Sequence, residues 1–466
     1  MVVMKFGGTS VADEAAIGRL MGIVARQRAI DMAAGEVAPG PVVVVSALSG
    51  VTDRLLGVAA EAGAGDAEGA RHNLRDLRAR HMTVAGVVDD EALLAAARAD
   101  IDREFDELER VVAALGVLRE VSPRWLDTIA ATGEILSSRI VAAALAARGL
   151  GGAWVDARAA IVTDDEHTAA APEFAETTAA LEARVRPLLA ASQVPVLGGF
   201  VGATRTGVTT TLGRGGSDFS AAIVGSCLQA AEIQIWTDVD GMLTADPRLV
   251  ASPRVVPHIS FAEASELAYF GAKVLHPATI QPAVARDIPV RILNSKRPEA
   301  PGTLITAVSP PGACGLTALA SKKHVTVVDI TSTRMLMAHG FLRRLFEVFE
   351  RHKTPVDVVT TSEVSVSVTV DDRRRLPAIV EALSEFADVA LEHEMAIVCA
   401  VGEGLKHEPR LVARVFDAVG DVPMKLLSQA ASRRNITFVI REVDVPLVLG
   451  RLHEAFFAAT GAGASA

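Results

Sequence analysis

Five short runs dominate the first two thirds of this chain: VVMKF, PVVVVSAL, VPVLGGF, AEIQIWTDV and IPVRILN. Each is rich in β-branched residues and apolar at successive positions rather than alternate ones. A strand that is apolar at both odd and even positions buries both faces of its sheet. Between the runs lie alanine-rich stretches such as EILSSRIVAAALAARG, whose apolar residues recur at three- and four-residue spacing, the period of a helix. Covered strands alternating with helices predict an α/β domain over residues 1–305, an open and mainly parallel sheet with helices on both faces. Residues 58–118 interrupt the alternation. They are charged, alanine-rich and helix-forming throughout, and predict a helical excursion that partly lids the sheet edge.

PEAPGTLI and VSPPGACG, across residues 298–315, form the densest proline–glycine region and mark a boundary. Beyond it the pattern changes. HVTVVDI, HGFLRRLFEVFERH, PVDVVTT, VSVSVTV, DRRRLPAIVEALSEF and DVALEHE read as strand, helix, strand, strand, helix and strand, a ferredoxin-like βαββαβ unit. The order then recurs through MAIVCAVG, PRLVARVFDAVG, VPMKLLSQ, RNITFVIRE and VPLVLGRLHEAFF, but GAGASA leaves no final strand. An unassigned apolar segment, GLTALAS, precedes the first copy and is expected to fill that place. The predicted division is 1–305, then 306–393 for linker and first repeat, then 394–466 completed by strand 315–321.

A length of 466 residues suits two or three domains, and a hydrophobic half of the chain supplies their cores. The formal charge of −10 excludes a protein covered by a nucleic-acid-binding basic face. The apolar runs are too short to span a bilayer, and Lys5 with Gly7 interrupts any leader-like stretch. A soluble cytoplasmic protein is therefore expected, with neither nucleic acid nor membrane as partner. Cys227, Cys314 and Cys399 lie far apart in apolar runs, which suits buried small hydrophobes rather than zinc ligands or a disulfide framework.

Chemistry-bearing residues gather where strands end. KFGGTS puts a lysine and two glycines after the first strand; glycine pairs let backbone N–H groups approach an anion, although a simple turn reads equally well. SALSGVTDRL places hydroxyls and a glycine after the second. In open α/β sheets ligands sit beyond the carboxyl ends of strands, so two such ends favour a shared polar pocket. GGFVGATRTGVTTTLGRGGSDFSAA brings seven glycines, then Arg214 and Asp218 at a helix start, where Asp218 could cap the helix, serve the site, or both. WTDVDGMLTADPR offers Thr237, Asp238 and Asp246 to a nucleotide or a metal, without EF-hand spacing. FGAKVLHP adds Lys273 and His276. Lysine, arginine, glycine and hydroxyls at strand ends suit phosphoryl transfer, where positioning and charge neutralisation do most of the work.

Taken in order, KFGGTSV, SALSGVTDRLL, TGEILSSRI, GRGGSDFSAA, WTDVDGMLTADPR, ELAYFGAKVLHP and HGFLRRLFEVFERH with VDVVTTSEVSVSVTVD resemble the aspartokinases. KFGG alone is shared with other amino-acid kinases; its combination with GRGGSD, TDVDG and two C-terminal repeats is specific. The tail resembles paired ACT domains, and HGFL and TTSEVSVS resemble the lysine-sensitive, monofunctional type. No dehydrogenase region follows in this sequence. The resemblance implies ATP-dependent phosphorylation of the L-aspartate side-chain carboxylate, toward lysine, threonine and methionine. The competing readings are another acyl-phosphate-forming amino-acid kinase and a catalytically inactive amino-acid sensor.

By matching motif, the resemblance gives Lys5 the transferring phosphoryl group, Gly7 and Gly8 backbone N–H contacts, and Asp218 the orientation of Lys5. Glu134 would hold the substrate amino group and Arg214 a substrate carboxylate, with Ser46 and Thr52 lining the pocket. Without the family match, Glu134 at a helix start reads as a complement to the helix dipole. Thr237, Asp238, Asp246, Arg248 and Lys273 would face ATP, and Mg2+ would bridge the phosphates without an identified protein ligand. Related enzymes often carry an aromatic where Leu243 stands, so the adenine contact departs from the family pattern there. An amino-acid effector, lysine by resemblance, would meet Met335, His339, Gly340, Phe341, Leu342, Asp357, Ser362 and Glu363. A homodimer through the tail repeats, or a tetramer built from it, is expected.

Overall fold

The computed structural model describes residues 1–33, 40–213, 215–271, 277–309, 315–335, 339–403, 405, 408–429 and 434–458. It divides into two compact units, Met1–Gly241 with Leu275–Ala307, and Met242–Val274 with Val308–Ala466. The chain therefore leaves the first unit at residue 241, returns, and leaves again near the proline–glycine break.

In the first unit the strands are β1 (Val2–Phe6), β2 (Val42–Val45), β3 (Gly152–Val155), β4 (Val162–Thr163), β5 (Val194–Gly198), β6 (Val201–Thr204), β7 (Thr209–Thr211) and β8 (Glu232–Thr237). β9 (His258–Ser260) falls in the second unit, and β10 (Val290–Asn294) and β11 (Thr303–Thr306) return to the first. The main-sheet strands of this unit run in the order β3-β5-β2-β1-β8-β10-β11, parallel except for the last pair. β1 is central, with Lys5 opposite Val44 on one side and Ile235 on the other. Parallel pairing brings the carboxyl ends of β1, β2, β5 and β8 to one edge, which places KFGG, SALSG, GGF and TDVDG together. A smaller sheet, β4-β6-β7, carries the threonine-rich hairpin before the GRGGSD segment.

The helical excursion is not a lid. Helices Val51–Ala64, Ala67–Val84 and Glu91–Leu118 send Leu74, Leu77, Ile101, Phe105 and Leu115 into the same core as Met4, Phe6 and Val43. Their polar faces are charged because they form the outer layer; their apolar faces are fused to the sheet domain. Helix Pro123–Ala147 lies inside that layer. By length and composition it could cross a membrane, yet 83% of its most apolar window is buried within the protein, as befits a core helix. Ser122 and Pro123 start it well before TGEILSS.

In the second unit β12 (Ala318–Thr331), β13 (Val359–Thr361), β14 (Ser365–Val370), β15 (Asp388–Val401), β16 (Leu426–Gln429) and β17 (Asn435–Arg441) form one antiparallel sheet, ordered β13-β14-β12-β15-β17-β16. The sequence divides β12 and β15 into separate strands of two repeats, but each is continuous over 14 residues. Ala318–Lys322 pairs with Val401–Ile397, while Val327–Thr331 pairs with the Glu392–Asp388 half of β15. A register shift between Lys322 and Val327 marks the crossing, with His324 and Glu394 in the left-handed region. Helices Phe341–Arg351 and Leu376–Ser384 cover one half of the sheet through Leu345, Phe349, Ile379 and Leu383; Pro409–Val419 and Val445–Phe457 cover the other. Cys227 and Cys399 are buried free thiols, and burial pushes Cys399 up to about 12. Cys314 lies outside the described residues.

Candidate functional site

A cavity of about 690 Å³ opens at the carboxyl edge of the main sheet. Lys5, Ser46, Thr52, Glu134 and Asp218 all line it, as do Gly213, Gly215, Gly216 and Ser217. Lys5 sits at the end of β1 with its Nζ 2.7 Å from Asp218 Oδ1, and the two side chains are only 10% and 17% exposed. Two opposite charges so far from water are retained only with close pairing, because removing either partner strands the other.

Local sequence explains how Asp218 reaches that lysine. Gly213 and Gly215 hold φ of 75° and 72°, a region unfavourable to side chains, and Gly215 caps helix Gly216–Leu228. Asp218 is therefore in the first helical turn rather than at the cap, which leaves its carboxylate for Lys5. The glycines of GGF are needed for space: a Cβ on Gly199 would meet Ser217 Cα at 2.8 Å, and one on Gly198 would meet Glu134 O at 2.9 Å. Arg214 lies outside the described residues.

The two opening glycines differ. Gly7 donates its N–H to Trp236 O at 3.0 Å, so that N–H is already committed to the β1–β8 edge. Gly8 begins a short 3-10 turn, Gly8–Ser10, where a Cβ would lie 3.1 Å from Ala47 O. Neither glycine is among the residues that line the cavity. The following helix starts at Glu14, with Asp13 accepting from Ala16 N at 2.8 Å.

Glu134 lies in the middle of helix Pro123–Ala147, not at its start, so the helix-dipole reading fails. It is 4% exposed, and its Oε2 has no hydrogen-bond partner. Burial pushes its pKa up to about 8, against donors from the Ala47 N–H, its own N–H and the Thr52 hydroxyl. A buried acid with an idle oxygen beside a cavity can take up an ammonium group, which would restore its charge. Asp127 and Ala130 also line the cavity, seven and four residues before Glu134 on the same helix. Sequence reasoning missed Asp127, although spacing from Glu134 by two helical turns was the available signal.

Thr237 ends β8, beside β1, and Asp238 follows it; the Ser295 N–H and hydroxyl both donate to Thr237 O. Asp246 and Arg248 belong to the second unit, where the guanidinium grips the carboxylate and holds Asp246 below its ordinary range. Leu243, in the same unit, bridges to Val255. Lys273 and His276 lie outside the described residues. Among the described residues no three His, Cys, Asp or Glu side chains gather to hold a metal ion.

The effector candidates all belong to the second unit. Gly340, φ 84°, caps helix Phe341–Arg351; His339 precedes it, Phe341 packs edge-on against Phe386, and Leu342 is 41% exposed. Met335 closes a short turn on Ser332. Ser362 and Glu363 lie in the exposed turn before β14, where Ser362 bonds Ser365. Asp357 is already occupied: Tyr269 OH donates to one oxygen at 2.7 Å and Lys322 Nζ pairs with the other at 2.7 Å.

Comparison with known proteins gives the family. Residues 1–294 match the amino acid kinase family and residues 398–456 an ACT domain. Aspartokinase 1 of Arabidopsis thaliana, a chloroplastic protein, is 35% identical over 98% of this chain and 80% of its own length. Lysine-sensitive aspartokinase 3 of Escherichia coli is 34% identical over 98% of this chain and 99% of its own. The crystal structure of E. coli aspartokinase III with aspartate and ADP, at 33% identity, superposes with a TM-score of 0.79 over 98% of this chain and 100% of that one.

Proposed function

The chain belongs to the aspartokinases, enzymes that phosphorylate aspartate, and from that premise we propose that the Lys5–Asp218 cavity is where it transfers the γ-phosphoryl group of ATP to the L-aspartate side chain. One observation carries the reading: a paired lysine and an unsatisfied buried carboxylate, Glu134, face the same cavity. The first meets growing negative charge; the second meets an amino group.

Glu134 accepts the substrate α-ammonium while Ser46 and Thr52 line the same pocket, and Arg214 takes a carboxylate. The attacking group is the side-chain carboxylate, already deprotonated at neutral pH, so no general base is required. Its oxygen forms a bond to the γ-phosphorus as the bond to the bridging oxygen of ADP breaks, giving 4-phospho-L-aspartate. Lys5 neutralises charge on the equatorial oxygens, held by Asp218 in a geometry fixed before substrate arrives; such preorganisation is the main source of rate in phosphoryl transfer. Gly8 supplies a close backbone approach. Thr237 and Asp238, at the end of β8 beside β1, are assigned to the nucleotide. Magnesium, arriving on the nucleotide, would neutralise phosphate charge.

The E. coli relative is lysine-sensitive by name. Feedback by lysine is proposed here through Gly340, whose helix start suits an effector carboxylate, and through Asp357 and Glu363, which suit its amines. The same reading includes the biosynthetic route to lysine, threonine and methionine, a cytoplasmic location and a homodimer through the ACT repeats. The test is aspartyl hydroxamate formation from ATP, aspartate and hydroxylamine, with lysine, threonine and methionine titrated in turn. Product that does not depend on Lys5, or inhibition by threonine alone, overturns the corresponding part.

A further inference from the structure

Two buried carboxylates share one face of helix Pro123–Ala147, and they are used in opposite ways. Glu134 has an idle oxygen. Asp127, 1% exposed, has none to spare. Its Oδ1 accepts from the Thr211 hydroxyl at 2.5 Å and from the Thr168 N–H at 3.0 Å. Its Oδ2 lies 2.6 Å from His167 Nδ1 and 3.1 Å from the same Thr168 nitrogen.

We propose that Asp127 is a positioning residue for the aspartate site, a clamp that fixes the wall from which the GRGGSD segment departs. The three segments it joins are remote in sequence: the core helix, the turn at 165–169, and β7. Thr168 holds φ 71°, a conformation that costs a non-glycine residue free energy and persists only where its surroundings enforce it. The Asp127 bond to its N–H is one such restraint. From there the clamp reaches the substrate-facing loop in two steps. Ala170 donates to Thr211 O at 2.9 Å, joining the turn to β7, and Thr168 O lies 3.2 Å from where a Gly213 Cβ would stand. Leu212 then bonds Phe200 O at 2.9 Å, and the next residues are Gly213, Arg214 and Gly215. Thr168, Thr211 and Gly213 line the cavity beside Asp127 itself. Asp127 acts through these groups rather than on substrate, because its lone pairs are spent.

This inference rests on the cavity being the aspartate site, so the test carries its own control. Steady-state kinetics of Asp127→Ala, Asp127→Asn, Thr211→Val and Glu134→Gln are compared for both substrates, with melting temperatures alongside. Asp127→Ala is expected to raise the aspartate KM by roughly 10–100-fold with the ATP KM changed less than about twofold, since misplacing a wall by an ångström degrades only what it touches. Asp127→Asn should retain most function, because its amide oxygen can still accept from Thr211 and Thr168 while its NH2 donates to His167 Nδ1 in the acceptor tautomer. Thr211→Val should give a smaller rise, non-additive with Asp127→Ala. Should Asp127→Ala fail to fold, Thr211→Val decides alone. Equal changes for both substrates, or a loss of melting temperature without any change in aspartate KM, overturn the proposal. If Glu134→Gln also leaves the aspartate KM unchanged, the cavity assignment itself falls; if only Glu134→Gln acts, the clamp falls and the site stands.

Discussion

Glu134 in the first unit and Asp357 in the second are both acids with almost no exposed side chain, each assigned to receive an amino group. Their surroundings differ. Glu134 keeps one oxygen without a partner and is held near-neutral by burial, whereas Asp357 is saturated by Lys322 and Tyr269. A ligand ammonium entering the first site satisfies a group that folding left unsatisfied. At the second it must displace a lysine of the chain itself. Under the proposed assignment, the Lys5–Asp218 cavity offers an unsatisfied acid to substrate, whereas an effector amine at Asp357 would have to compete with groups already bound there.

Breaking the prepared side of this comparison should give the largest effects. Lys5→Ala is expected to lower kcat by roughly 10²–10³-fold with little change in aspartate KM, because its charge is matched to the transition state. A rise in KM alone would remove Lys5 from the chemistry. Glu134→Gln should raise the aspartate KM by roughly 10–100-fold, the cost of replacing an ionic acceptor for a buried ammonium.

The same acid gives a pH signature. In the free enzyme Glu134 is mostly protonated below about 8 and must lose that proton to pair with an ammonium. Aspartate binding at neutral pH should therefore release a proton, and affinity should climb as pH approaches 8. Calorimetry in buffers of different ionisation enthalpy measures this, and Glu134→Gln should abolish it. For stability the sign is the reverse. A folded-state pKa raised above 4.5 favours the folded form at low pH, and that contribution is lost as pH rises through about 8. The Gln variant should accordingly melt with less dependence on pH across that range.

On the occupied side, Lys322→Met frees Asp357 and should lower the lysine concentration for half-inhibition by about 3–10-fold, the scale of one charge-assisted contact. Tyr269→Phe removes a neutral hydroxyl donor and should change it by about twofold at most. Unchanged inhibition in both variants would mean that the Asp357 contacts only brace the sheet.

Much of this was legible beforehand. Runs apolar on both faces dictated a covered parallel sheet, and such a sheet sends its strand ends to one edge, so Lys5 and Ser46 could be grouped by topology, while Asp218 was joined to Lys5 by the family resemblance of GRGGSD. The doubling of the tail was equally plain from its strand and helix order. Continuity of β12 and β15 was not, because a bulge with left-handed His324 and Glu394 carries no glycine or proline signature. The helical excursion looked like a lid because charge density reports the outer face of a layer and conceals how deeply the inner face is packed.

The sequence by itself determined the fold class and the gathering of chemistry at the strand ends, because backbone hydrogen bonding and the periodicity of burial leave few alternatives; the lysine–aspartate partnership came only with the family resemblance. Only the tertiary structure decided which groups were spent. Gly7 gives its N–H to Trp236, Asp127 divides its lone pairs between the 165–169 turn and β7, Asp357 is taken by Lys322, and Glu134 alone of these keeps an oxygen idle. Whether a polar atom is satisfied depends on partners dozens to more than two hundred residues away, and that accounting closes only when the chain is folded.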